Sequence, residues 1–251
     1  MSENLQPGGP DGTQLAQPLY VPIKRRSFFM YAGATAGATA LLLSSCDDDD
    51  DTTTPSLPAG NSTNADGSIS LGSGDVGVLN YAYALEQLEA DFYAKVAATT
   101  GILSGTELSY FQQVAAHEAI HRDFFKKAIT GAASAQVLRG LTPKYPANTF
   151  TSRDNILATA KAFEDLGVAA YNGAGKLIQT PAYLLIAGQI VSVEARHAAY
   201  IRDLITPGSF AADDQVDPAT GLDKAMTPTQ VLTIAQDFIT EKIDGSKVGV
   251  R

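Results

Sequence analysis

Four stretches of the chain step apolar residues three and four apart, and each is interrupted near its middle by an acid or an acid–histidine pair. The first runs Leu79, Tyr83, Glu86, Ala90, Tyr93, Ala97. The second runs Phe111, Val114, Glu118, His121, Phe125, Ala128. The third runs Leu157, Ala160, Glu164, Gly167, Tyr171, Ala174, Ile178, and the fourth Tyr183, Ala187, Ile190, Glu194, His197, Ile201, Leu204. Steps of three and four trace one face of a helix. A carboxylate on such a face is carried into an apolar core, where it must be neutralised, paired or bound to a metal. The pattern therefore points to an all-α bundle with a polar centre.

Punctuation along the chain sets the helix ends. The spacing predicts helices over 76–99, 106–129, 153–178 and 181–206, with a short fifth over 228–243. Gly101 and Gly131 close the first two, Thr106 or Ser104 caps the second, and Ser152 caps the third. Thr180-Pro181 and Thr227-Pro228 open the fourth and fifth, because proline suits a first helical turn. No segment keeps the period-two alternation of a strand. The first and third connections are short, so each joins an antiparallel hairpin. The second, over 131–151, holds two prolines and reads as a crossover. Two hairpins and one crossover make a four-helix bundle.

Residues three apart on a helix face the same way. Glu118 with His121, and Glu194 with His197, each present an oxygen and a nitrogen, while Glu86 and Glu164 add one carboxylate each. Four carboxylates and two imidazoles suit two divalent iron or manganese ions, and four negative charges balance two dications. Glu89 is the alternative ligand on the first helix and otherwise a solvated acid or a neighbour of the ligands. The chain also repeats itself. Glu86 and Tyr93 have the spacing of Glu164 and Tyr171, and the acid–histidine motifs recur 76 residues apart. The two tyrosines either hydrogen-bond the carboxylates or are plain core aromatics. His117 completes the string His117-Glu118-Ala119-Ile120-His121, which matches a zinc-hydrolase motif. That reading leaves Glu164, Glu194 and His197 unexplained, and His117 reads better as an exposed residue or a neighbour of the ligands.

The order Glu, Glu-x-x-His, Glu, Glu-x-x-His resembles the ferritin-like dimetal carboxylate proteins. The run Phe163-Glu164-Asp165-Leu166-Gly167-Val168-Ala169-Ala170-Tyr171, and residues 79–93 and 193–198, are similar to an exported branch that includes desiccation-related proteins. The resemblance implies a ferritin-like four-helix bundle and a dinuclear iron or manganese centre in its core. It leaves two functions open. One is a dimetal oxidoreductase that uses oxygen or peroxide, for ferrous oxidation or peroxide removal. The other is a metal-free structural or binding protein of stress, whose buried Glu and His satisfy one another.

The N-terminal third has another character. Lys24-Arg25-Arg26 precedes an apolar run over 30–43, too short to span a bilayer, which needs about 20 residues. A basic region before a short apolar stretch is an export signal, and the Arg25-Arg26 pair resembles the twin-arginine kind. Leu43-Ser44-Ser45-Cys46 resembles a lipobox, which explains the single cysteine as a lipid anchor. The expected organisation is a signal over 1–45, a lipidated acidic and polar tether over 46–74 that cannot bury a core, and the bundle over 75–251. Such a chain sits in the bacterial cell envelope, held to a membrane by Cys46. With 27 acidic against 18 basic residues, it has no use for nucleic acid, whose phosphates need clustered Lys and Arg.

Overall fold

The helices start within two residues of the expected positions, and side-chain caps fix the starts of two of them. The computed structural model describes residues 61–250. Its helices are α1 (Gly74–Ala98), α2 (Gly105–Ala133), α3 (Arg153–Ala174), α4 (Pro181–Ile205) and α5 (Pro228–Ala235). Ser152 caps α3 by accepting from the Asn155 N–H. Thr227 caps α5 in a reciprocal box with Gln230, and Pro228 follows it in the first turn. At α2 the residue before the helix is Ser104, not Thr106. The Asp75 carboxylate, in the first turn of α1, accepts from the N–H groups of Gln179 and Thr180 at 2.8 Å. It thereby fastens the turn that leads into α4 to the start of α1.

α1 packs on α2 and α3 on α4, and α1 also meets α3. The all-α fold, a four-helix bundle with a short C-terminal helix, is the one expected. Three helix ends differ. α2 runs through Gly131, because an interior glycine weakens a helix by about 1 kcal/mol without ending it. α3 tightens into a narrower turn at Gly175–Leu177. α5 stops at Ala235, eight residues before the expected end, and passes through a tight turn at Gln236–Phe238.

The N-terminal boundary needs a larger correction. Residues 61–73 were expected within a tether, yet they pack on the bundle. Ile69 and Leu71 are buried in the core. Strand β1 (Ile69–Ser70) pairs in parallel with β2 (Ile243–Asp244). The short patch is apolar enough to hold, and the C-terminal strand supplies its missing backbone partners. Arg25, Arg26, Cys46 and the remainder of residues 1–60 lie outside the described residues. Among the described residues no helix is long and apolar enough to cross a membrane.

Candidate metal centre

Each bundle helix delivers its interrupting residues to the middle of the core. Glu86 comes from α1, Glu118 and His121 from α2, Glu164 from α3, and Glu194 and His197 from α4. The four carboxylates are 0 % exposed. They form two groups whose donor atoms lie within 4.8 Å of one another: Glu86, Glu118, His121 and Glu194; and Glu118, Glu164, Glu194 and His197.

The distances show how the groups join. His121 Nδ1 lies 2.8 Å from Glu194 Oε1, 3.2 Å from Glu118 Oε2 and 3.6 Å from Glu86 Oε2. His197 Nδ1 lies 3.0 Å from Glu118 Oε1, 3.5 Å from Glu164 Oε2 and 3.8 Å from Glu194 Oε2. Glu118 and Glu194 thus span both groups, one oxygen to each. Glu86 and Glu164 each serve one. The sequence places four acids on four core faces but cannot say which two span; that depends on how the helices pack.

Hydrogen bonds alone do not account for this arrangement. One Nδ1–H can serve one acceptor, yet three carboxylates crowd each ring. Glu86 Oε2, Glu118 Oε1, Glu164 Oε2, both oxygens of Glu194, and His197 Nδ1 are buried without a hydrogen-bond partner. His197 Nδ1 and Glu118 Oε1 are close enough for an ion pair but too poorly aligned to bond. Unsatisfied buried groups of this kind each cost on the order of 1–3 kcal/mol, more when charged. Donors held about 2.0–2.2 Å from a shared ion such as zinc would sit about 3 Å apart, close to the separations seen here. The donor set therefore fits a pair of divalent cations.

Without an ion, protons supply the positive charge. Burial raises Glu86 to about 8, against the pull of His121, and raises Glu164 well above the carboxylate range. Burial also opposes charge on both imidazoles, but the carboxylates around them win. His121 is raised by Glu86, Glu118 and Glu194, and His197 is pushed up to about 12 by Glu164 and its neighbours. Burial works against the Glu118 anion too, but the hydrogen bond from His121 and the positive charge of the two imidazoles beside it hold it down at about 2.

Both tyrosines bond carboxylates and are more than core aromatics. Tyr93 donates to Glu164 Oε1 at 2.5 Å, and Tyr171 donates to Glu86 Oε1. Glu89 belongs to neither group, and it is not solvated, being 4 % exposed. A side chain at Gly167 would begin 3.0 Å from Glu89 Oε1, so the glycine makes room for this fifth acid. The repeat held the signal, because Gly167 is the residue that matches Glu89. Burial and the surrounding carboxylates raise Glu89 well above its ordinary range.

His117 turns away from the donor cluster. Its Nδ1 lies 3.0 Å from His197 Nε2, with the two rings nearly parallel. It thus holds the outer nitrogen of a candidate ligand, and no group of candidate ligands among the described residues includes it. This geometry leaves the zinc-hydrolase motif without its second histidine.

A search of curated proteins finds no match. A family model described as "Ferritin-like domain" matches residues 74–207, from the start of α1 to just beyond α4, which is more than half of the chain. The matched segment holds both hairpins, the crossover and all six candidate ligands, and the chain belongs to the ferritin-like domain family.

Proposed function

We propose that this is an exported, lipid-anchored ferritin-like protein that binds a dinuclear iron or manganese centre and acts in oxidative stress or metal redox chemistry. The observation that carries the reading is the pair of Glu/His groups joined through Glu118 and Glu194, with buried oxygens that no hydrogen bond satisfies. Glu118, His121, Glu194 and His197 would hold the ions, with Glu86 and Glu164 as the outer carboxylates. When bound, the metal pair supplies electrons to oxygen or peroxide. The chain's own residues do the rest. Tyr93 and Tyr171 fix the outer carboxylates through their hydroxyls, and the apolar seams keep water out of the core. His117 holds the outer nitrogen of His197. Export through Arg25 and Arg26 and anchoring through Cys46 belong to the same proposal, as does kinship with the desiccation-related branch.

The rival is a metal-free stress protein whose His121–Glu194 and His197–Glu118 contacts serve as plain ion pairs. Elemental analysis separates the two, using full-length chain made with iron and manganese supplied. About one ion per group is expected, falling sharply in Glu118→Ala. No bound metal after reconstitution with ferrous iron or manganese would sink the proposal and leave the rival.

A further inference from the structure

The two hairpins repeat each other, and where three bulky residues of one half are alanines in the other lies an apolar pocket. Glu86 corresponds to Glu164 and Glu118 to Glu194, which fixes the correspondence along each helix pair. Under it, Phe92 matches Ala170, Val96 matches Ala174, and Phe111 matches Ala187. Phe92, Val96 and Phe111 are all 0 % exposed, so that half of the bundle is filled beside Tyr93. In the other half the three alanines line a pocket between the four helices. Phe125 and Tyr81 also line it and are larger than their counterparts Ile201 and Thr159, yet the space stays open.

One residue of the wall joins the pocket to the candidate centre. Tyr171 lines it and also donates its hydroxyl to Glu86. Exposure agrees with this placement: Tyr93 is 0 % exposed, whereas its mate Tyr171 is half-buried. No charged side chain contributes to the wall. One polar group stands out: the Tyr81 hydroxyl is buried and has no hydrogen-bond partner. Pockets between the helices of a bundle, mostly apolar with a few polar groups, are typical small-molecule sites. Apolar cavities of about 150 Å³ stay dry and take up benzene or xenon. This pocket holds about 30 Å³, so an aromatic ring enters it only as the partly exposed Tyr183 and Ile186 in its wall move aside.

We propose that the pocket beside Tyr171 and Glu86 binds a small uncharged molecule, apolar and about the size of one aromatic ring, carrying at most one hydrogen-bonding group. The missing bulk sets the size: two phenyl rings and a few methyl groups fill the matching half. The absence of charge in the wall sets the polarity, since a buried ion there would have no partner. That the molecule serves the chemistry of the centre rests on the metal reading; its binding does not.

The test uses full-length, chelator-treated chain with methyl-labelled Ala, Leu and Ile, titrated with benzene, phenol and benzoate and followed by nuclear magnetic resonance. Benzene and phenol are expected to shift the methyls of Ala170, Ala174, Ala187, Leu79 and Leu85 saturably, and benzoate is not. Ala187→Phe restores the residue of the other half and should weaken benzene binding at least tenfold. Ala174→Val is the milder filling variant and should weaken it in the same sense. The proposal is overturned if benzene moves none of these methyls, or if both folded variants bind it as the parent does. Because the readout is metal-free, failure of the pocket and failure of the metal centre give different results.

Discussion

Tyr93 on α1 donates its hydroxyl to Glu164 on α3 across 2.5 Å, and the two residues are 71 positions apart. The contact has a mate in reverse, Tyr171 on α3 to Glu86 on α1. Each hairpin thus holds the outer carboxylate of the other. The rings also pack: Tyr93 lies at 5.0 Å from Phe92 and 6.0 Å from Phe111, so its hydroxyl sits on a rigid support. These cross-bonds keep the acids of α1 and α3 aimed at the centre with or without an ion.

Tyr93→Phe keeps the ring and removes the donor. The Glu164 carboxylate, already short of partners, loses one more. Stability is expected to fall by about 1–3 kcal/mol, read from urea unfolding of the metal-free chain. Metal affinity is expected to fall roughly 10–100-fold, as when a group that orients a ligand is lost. A fall in stability with unchanged affinity would mean that the bond serves the fold alone.

Glu118 and Glu86 are expected to differ as ligands. Glu118 gives one oxygen to each group, whereas Glu86 belongs only to the group of His121. Glu118→Gln should therefore reduce occupancy of both positions, and Glu86→Gln chiefly of one. Elemental analysis after equal reconstitution checks this. Equal losses in the two variants would contradict the spanning role of Glu118.

Acidity gives the next expectation. Glu86 is raised from 4.5 to about 8, and His197 from 6.5 to about 12. Both bind protons more tightly in the folded state. Their contribution to stability is full below the unfolded values and is lost as pH rises through the folded ones. Glu118 is lowered, but its contribution changes only between about 2 and 4.5, outside the range that matters. The metal-free chain should therefore melt lower at pH 8 than at pH 5.5. Metal must displace the same protons, so its affinity should rise over that interval. Melting curves and metal titrations at the two values test both signs. A metal-free melting point that rises with pH would mean that other groups dominate.

Much of this was legible in the sequence, because helical period and buried charge are both written locally. Glu86, Glu118, His121, Glu164, Glu194 and His197 stand out for breaking apolar faces. What escaped is non-local. The docking of Ile69 beside Ile243 joins segments that look, separately, like tether and tail. The spanning role of Glu118 depends on helix rotation, and the His117–His197 contact crosses two hairpins. The room for Glu89 beside Gly167 was present in the repeat, but a glycine on a helix face does not announce which side chain fills its space.

Gly173 shows the same point and yields the final expectation. It lies on α3, where the chain before α5 crosses it. Met226 N–H donates to Ala169 O at 2.9 Å, and a Cβ on Gly173 would stand 1.7 Å from Met226 O. The obstacle is backbone, so no rotamer change relieves it. Gly173→Ala must lift the segment from α3, at a cost of about 1–3 kcal/mol or more, as overpacking of a fitted interior does. Gly188, on α4, is the control, since a Cβ there meets nothing within 4 Å. Gly188→Ala should stabilise by roughly 0.5–1 kcal/mol, because alanine loses less backbone freedom in a helix. Opposite shifts of the urea midpoint in the two variants are expected. If Gly173→Ala is as stable as the parent, the C-terminal segment does not rest on α3 in the way described.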